Sequence, residues 1–123
     1  MKTLSLTAFS LIAALAFGAV HAEPAPKMSA GMLVNSKGMT LYTFDKDVAG
    51  SGKSACSGGC AAAWPPVLAG EADKAQGDYS IVTRDDGTKQ WAYKGRPLYT
   101  YAADKSPGDT TGDNVKEIWH IAK

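Results

Sequence analysis

The stretch 38-GMTLYTFDKD-47 is written almost a second time at 95-GRPLYTYAAD-104. Setting Gly38 on Gly95 aligns the two halves at a shift of 57 residues. Leu41, Tyr42 and Thr43 then fall on Leu98, Tyr99 and Thr100, Phe44 on Tyr101, and Asp47 on Asp104. Lys37 meets Lys94, and Trp64 approaches Trp119 once two residues are dropped. Each half therefore reads as turn, strand, acidic loop, tryptophan. Two copies are too few for a solenoid, which stacks about three or more units. They suit one domain whose halves close a common core around an approximate twofold axis.

Strand alternation sorts the residues of the doubled phrase. Tyr42 and Phe44 share one face of a strand, Leu41 and Thr43 the other. Tyr99 and Tyr101 repeat the arrangement. If the twin strands meet across the axis, four rings converge, and rings bury about 150–250 Å² each. The first reading of these aromatics is therefore a core. The sharper alternative is a platform for a flat, quinone-like ligand. Asp47 and Asp104 stand where each strand leaves for its loop, and are expected to accept backbone N–H bonds there. The run 45-DKDVAGSG-52 starts like a calcium loop. It then places Ala49 at the fifth position and Cys56 at the twelfth, where oxygen ligands belong.

Outside the repeated phrase the pattern is also β. Two apolar runs in 31-GMLVNSKGMTLYTF-44 flank a turn at Asn35–Gly38. A Gly/Ser loop from Ala49 to Gly59 leads to 60-CAAAW-64, which suits one helical turn stopped by Pro65 and Pro66. Strands are expected at Tyr79–Arg84, Lys89–Tyr93 and Pro97–Tyr101, with turns at Asp85–Gly87 and Lys94–Gly95. A last short strand is expected at Val115–Ile121. No long stretch has helical periodicity. The fold class is all-β or β-dominant: a small antiparallel sheet or sandwich-like domain of two tandem repeats with pseudo-twofold symmetry and one or two short helical turns.

At the N-terminus, Lys2 precedes an apolar run, 11-LIAALAFGAV-20, that ends in 20-VHA-22. This is the pattern of a cleaved signal peptide over residues 1–22. The run falls short of the roughly 20 apolar residues that span a bilayer. Residues 23–30, with two prolines in 23-EPAPK-27, read as a flexible tether. Residues 31–123 read as a single β-rich domain, with repeat 1 at about 31–66 and repeat 2 at about 88–121. Removing residues 1–22 takes Lys2 away, so 12 basic side chains face 12 acidic ones. A neutral balance argues against a nucleic-acid partner, which requires a basic footprint. The mature chain offers no second run able to cross a membrane.

The two cysteines, Cys56 and Cys60, both follow the export signal, so a disulfide between them is expected in an oxidising compartment. Their C-x3-C spacing is not the C-x-x-C of thioredoxin-like chains, and no histidine follows Cys60. A copper or redox role would need help from His120, Met28, Met32 or Met39, none at a telling spacing. Hydrolytic motifs such as G-x-S-x-G and H-E-x-x-H are missing from the sequence. No catalytic residue, metal or cofactor is therefore assigned.

Two copies of Tyr-x-aromatic-x-x-Asp stand at Tyr42–Phe44–Asp47 and Tyr99–Tyr101–Asp104. With them come 56-CSGGCAAAWPP-66, 84-RDDGTKQWAYKGRPLYTY-101, 107-PGDTTGD-113 and Trp119. Together these blocks resemble the bacterial secreted-repeat family of predicted lipoproteins with the Yx(F/W/Y)xxD motif. The resemblance covers nearly all of residues 31–123. It implies export and a tandem repeat, with no biochemical role assigned. This chain lacks the lipid-accepting cysteine of many members, so a periplasmic or secreted form is expected rather than a tethered one. The resulting functional expectation is a non-catalytic binding or interaction module for an envelope protein or small ligand. Its contact surface would be the loops carrying Asp47, Ser51, Asp104 and Asp109. The alternative is a redox or copper-handling protein using Cys56 and Cys60.

Overall fold

A computed structural model describes residues 22–123; the signal-peptide reading of residues 1–22 lies almost wholly outside them. Eight short strands and two helical turns follow in order: β1 (Lys27–Ser29), β2 (Met32–Val34), β3 (Tyr42–Phe44), α1 (Gly59–Ala63), β4 (Leu68–Ala69), β5 (Tyr79–Thr83), β6 (Lys89–Tyr93), β7 (Arg96–Pro97), a 3-10 turn at Val115–Glu117 and β8 (Trp119–Ile121). All strand pairings are antiparallel: β1 with β2, β3 with β8, and β6 with β4, β5 and β7. The domain is thus β-dominant with small antiparallel sheets.

Local chemistry explains the turns. The β6–β7 connection is the two-residue turn Lys94–Gly95, with φ of 51° and 84°. Both residues are left-handed, as hairpin turns matching strand twist demand. Glycine is required at position 95 for a second reason. A Cβ there would lie 2.8 Å from the Gly50 nitrogen, which donates to the Gly95 carbonyl across 2.9 Å. This close approach ties the loop after β3 to the β6–β7 turn. Helix α1 lasts five residues and ends where the Trp64 N–H donates to the Cys60 carbonyl, just before Pro65 and Pro66.

The structure departs from the sequence reading in three places. Residues 23–30 are not a free tether: β1 pairs with β2 in the register Met28↔Leu33, and the Trp91 indole N–H donates to the Glu23 carbonyl at 2.8 Å. The prolines of this segment precede the strand, so they remove no ladder hydrogen bond. The strand expected at Val115–Ile121 is confined to its last three residues, because Asn114, Lys116 and Glu117 have positive φ and form a tight turn. The strand expected at Pro97–Tyr101 is regular only at Arg96–Pro97. It continues as isolated bridges from Tyr99 to Tyr42 and to Pro66.

Those bridges mark the twofold relation. The Tyr42 N–H donates to the Tyr99 carbonyl at 2.8 Å, and the Tyr99 N–H returns the bond to Tyr42 at 3.0 Å. On either side of this exchange lies a three-membered ring of backbone bonds. In one, Leu33 donates to Ala122, Ala122 to Leu41 and Leu41 to Leu33, at 2.8, 2.9 and 3.0 Å. In the other, Trp91 donates to Val67, Val67 to Leu98 and Leu98 to Trp91, at 2.8, 3.0 and 3.0 Å. All six residues are buried in one core together with Ala69. A second core collects Tyr42, Phe44, Cys56, Trp64, Tyr99 and Trp119. The doubled phrase feeds both cores, Leu41 and Leu98 into the first, Tyr42 and Tyr99 into the second, as strand alternation requires.

The two rings of hydrogen bonds also reveal how the repeats are joined. Ala122, three residues past Trp119, completes the ring of the first repeat. Val67, three residues past Trp64, completes the ring of the second. Each repeat therefore sends its tryptophan-bearing tail onto the other. The β3–β8 ladder, with Phe44 opposite Trp119, is one such crossing. The bridge of Pro66 to Tyr99, with the Thr100 N–H donating to the Pro65 carbonyl at 2.8 Å, is its counterpart.

Candidate functional site

The residues singled out by the motif converge on the axis between the repeats. Four rings form a column in the order Phe44, Trp119, Trp64, Tyr101, with centroid separations of 4.1, 3.8 and 3.9 Å. The two indoles at its centre are inclined by only 3°. The column is itself nearly symmetric: Phe44 and Tyr101 cap its ends, and the axis runs between Trp64 and Trp119. Tyr42 meets Trp64 edge-on at 5.5 Å, and Tyr99 meets Trp119 edge-on at 5.2 Å. Both geometries favour aromatic attraction, since ring edges are positive and ring faces negative. Stacked on one another, the indole faces are spent inside the molecule; Tyr101, at one end, is only half-buried.

The hydroxyls at the far ends of the two inner tyrosines explain the aspartates. Tyr42 Oη donates to Asp104 Oδ2 at 2.7 Å, and Tyr99 Oη donates to Asp47 Oδ2 at 2.6 Å. The tyrosine of each motif is thus clasped by the aspartate of the other motif. The second carboxylate oxygen of each aspartate holds its own loop. Asp47 Oδ1 accepts from the Ala55 N–H, and Asp104 Oδ1 accepts from the Thr111 N–H at 2.9 Å and from its hydroxyl. Asp47 and Asp104 are 4% and 6% exposed, so they do not lie on the contact surface that the sequence suggested. They shape it from beneath.

Electrostatics follows the same geometry. Burial, and then the hydrogen bond to a carboxylate, push both Tyr42 and Tyr99 well above the ordinary tyrosine range. Burial also raises Asp47, against the opposing pull of its bonds from Tyr99 and Ala55 and of the nearby Arg84 charge. A raised tyrosine keeps its proton in the folded chain while the unfolded chain loses it. Stability is therefore intact below about pH 10 and falls as pH rises beyond it, at about 1.4 kcal/mol per pH unit for each tyrosine. Urea titrations between pH 9 and 11.5 are expected to show this alkaline limb. Tyr42→Phe and Tyr99→Phe should each lessen the slope, with Tyr79, which burial also raises, adding to the remainder, and an unchanged slope in both would contradict the clasp.

Three residues around the clasp were not singled out by the sequence. Arg84 is buried; its guanidinium donates to Ser54 Oγ at 3.0 Å, to Gln90 Oε1 at 2.8 Å and to the Cys56 carbonyl. Gln90 in turn donates to the Leu98 carbonyl at 2.7 Å, and Ser54 Oγ lies 2.6 Å from Tyr99 Oη. This network supports the second tyrosine only. At the matching place beside Tyr42 stands Gly112, whose N–H donates to Tyr42 Oη at 3.2 Å. A Cβ on Gly112 would lie 2.9 Å from Trp64 and Tyr42 carbons, so only glycine fits against the indole. Above Arg84 and Ser54 opens a cleft of about 200 Å³, also lined by Ser57, Gly58 and Asp86. Small-molecule pockets usually enclose about 300–1,000 Å³, so this cleft falls below that range.

Cys56 and Cys60 are bonded, with Cα atoms 5.2 Å apart, and Cys56 is fully buried beside Trp64. The bridge pins the Gly/Ser loop to the aromatic column through helix α1. By chain entropy a five-residue ring contributes about 2 kcal/mol. The Cys56→Ser, Cys60→Ser variant is expected to lose about that much in chemical denaturation; an unchanged midpoint would remove the structural role. Among the described residues, no three of His, Cys, Asp and Glu converge as metal ligands. His120 Nε2 pairs instead with Asp45 Oδ2 at 2.8 Å, partly exposed on the outer side of the β3–β8 ladder.

The doubling seen in these contacts has a counterpart among known proteins. The model of a family described as a secreted repeat of unknown function matches residues 27–68 and again residues 80–123. The chain belongs to this family of secreted repeats. Its membership supports secretion, and the two matches coincide with the halves related by the axis. The first secreted repeat contains β1 to β3 with the tail through Trp64, the second β5 to β8 with the tail through Trp119. No curated protein and no solved structure matches the chain. Among the described residues, no helix is long and apolar enough to cross a membrane.

Proposed function

We propose that this secreted repeat protein is a non-catalytic binding module, exported to the periplasm after removal of residues 1–22, that presents its loops to an envelope partner. The observation that carries this reading is the internal use of the motif chemistry. The tyrosine hydroxyls, the aspartate carboxylates and the indole faces are all committed to one another. What they support is a pair of exposed loops on a rigid base, the arrangement in which binding residues gather. Val48, 69% exposed in the loop between Asp47 and Ala55, is the most prominent apolar side chain there. Lys105 occupies the corresponding loop of the second repeat.

The test places a photo-crosslinking residue at Val48 or at Lys105 in the protein expressed in its own envelope. A discrete adduct from either site supports the module. A folded protein that forms no adduct from either site overturns it. The competing redox or copper role requires the Cys56–Cys60 bond, buried at its Cys56 end, to open. Thiol titration and metal analysis of envelope-derived protein separate the two: free thiols or stoichiometric copper favour that role, fully oxidised and metal-free protein the module.

A further inference from the structure

We propose that the inward face of each repeat is an interaction surface for the opposite repeat of any copy, so that a second copy of this chain is a partner it fits. Neither repeat closes its own core. The first lacks the third member of its hydrogen-bonded ring until Ala122 arrives from the second. The second lacks its own until Val67 arrives from the first. Tyr42 finds its carboxylate on the second repeat, Tyr99 on the first, and each indole stacks on the indole of the other. These contacts depend on which two repeats meet, not on the peptide that joins them. An interface of this reciprocal kind is what a twofold dimer has, and exchange of matching elements between copies is an inexpensive route to association.

The connection is built so as to leave that exchange free. Residues 71–78 are all exposed, and apart from the Asp78 carbonyl, which accepts from the Lys94 N–H of the second repeat at 2.8 Å, their hydrogen bonds are local ones, such as the Asp73 N–H to the Gly70 carbonyl at 3.1 Å. The disulfide lies wholly within the first repeat, so no covalent bond other than the main chain joins the halves. The connection must nonetheless reach. β4 and β5 flank β6 on opposite sides, Ala69 opposite Lys89 and Tyr79 opposite Tyr93. That offset of four residues and two strand spacings is a span of about 16 Å in a straight line. Three residues between Ala69 and Tyr79 would reach about 14 Å fully extended.

The experiment uses the full chain with residues 72–77 deleted, examined by light scattering after size-exclusion chromatography. The inference predicts a dimer of twice the monomer mass with the near-ultraviolet dichroism of the parent. A monomer with the parent's spectrum overturns it. Should the shortened chain fail to fold, a second variant decides alone. It carries a protease site within residues 71–78 and is cut after folding. The inference expects the two pieces to stay together in buffer and part in urea. On dilution they should re-form, including hybrids with an isotope-labelled cut chain in native mass spectrometry. Pieces that drift apart in buffer, or that re-form no hybrids, overturn it. These readouts concern mass alone, so they are independent of whether Val48 or Lys105 meets an envelope partner.

Discussion

Replacing Trp119 by alanine is expected to cost about 3–5 kcal/mol, the range for emptying a buried large aromatic site. The loss falls on both repeats at once. Trp119 stacks on Phe44 and Trp64 and takes the edge of Tyr99, so its removal opens the column in the middle and withdraws the side chain that the second repeat plants on the first. Trp64→Ala should lose a similar amount for the symmetric reason. Stability of small domains totals about 5–15 kcal/mol, so either variant will stand near the edge of folding. Trp119→Phe keeps a ring in the stack and should recover most of the loss. Tyr101, half-buried at one end of the column, should tolerate leucine with a clearly smaller effect. Urea denaturation of the four variants checks the order. A Trp119→Ala chain within 1 kcal/mol of the parent, by the same order-of-magnitude scale, would mean that the column does not hold the repeats together.

The second large effect concerns the crossed clasp. Asp104→Ala removes the acceptor of Tyr42 Oη and of the Thr111 N–H and hydroxyl. Leaving the buried Tyr42 hydroxyl without its acceptor is expected to cost about 1–3 kcal/mol, whereas the exposed Thr111 donors can turn to water. The informative quantity is a double-mutant cycle. Tyr42→Phe combined with Asp104→Ala should show a coupling of about 1–3 kcal/mol, as contacting residues do. Tyr42→Phe combined with Asp47→Ala should add independently, although these two residues belong to the same motif. The mirror cycle, Tyr99 with Asp47 against Tyr99 with Asp104, should behave alike. Coupling within a motif rather than across motifs would refute the arrangement.

Much of the fold can be read from the chain. The doubled phrase announces two equivalent β units, and alternation along it separates Leu41 and Leu98 from Tyr42 and Tyr99. Those pairs do enter different cores. Pro65 and Pro66 end the helical turn where the sequence places its stop, and Cys56 pairs with Cys60. What could not be read is the crossing. A repeated motif says that two aspartates have the same role, but hydrogen-bond partners 52 and 62 residues apart leave no trace in local spacing. Arg84 was hidden for a related reason. As the last residue of the expected strand Tyr79–Arg84, next to the turn at Asp85–Gly87, it reads as one more strand-end charge, and only the approach of Ser54, Gln90 and the Cys56 carbonyl gives it a buried purpose. Gly112 reads as one more loop glycine until an indole is laid against it. The strand at Lys27–Ser29 was masked by the two prolines before it.

The face-to-face indoles have a spectroscopic consequence. Two tryptophans at 3.8 Å couple their excited states, which should give the folded chain a paired dichroism band and quenched emission from that centre. Trp91, in the other core, lies apart from the pair and should emit separately. The three tryptophans of this chain thus divide into a gauge of whether the halves are in register and a gauge of whether one half is packed, and both can be followed by light without any added label.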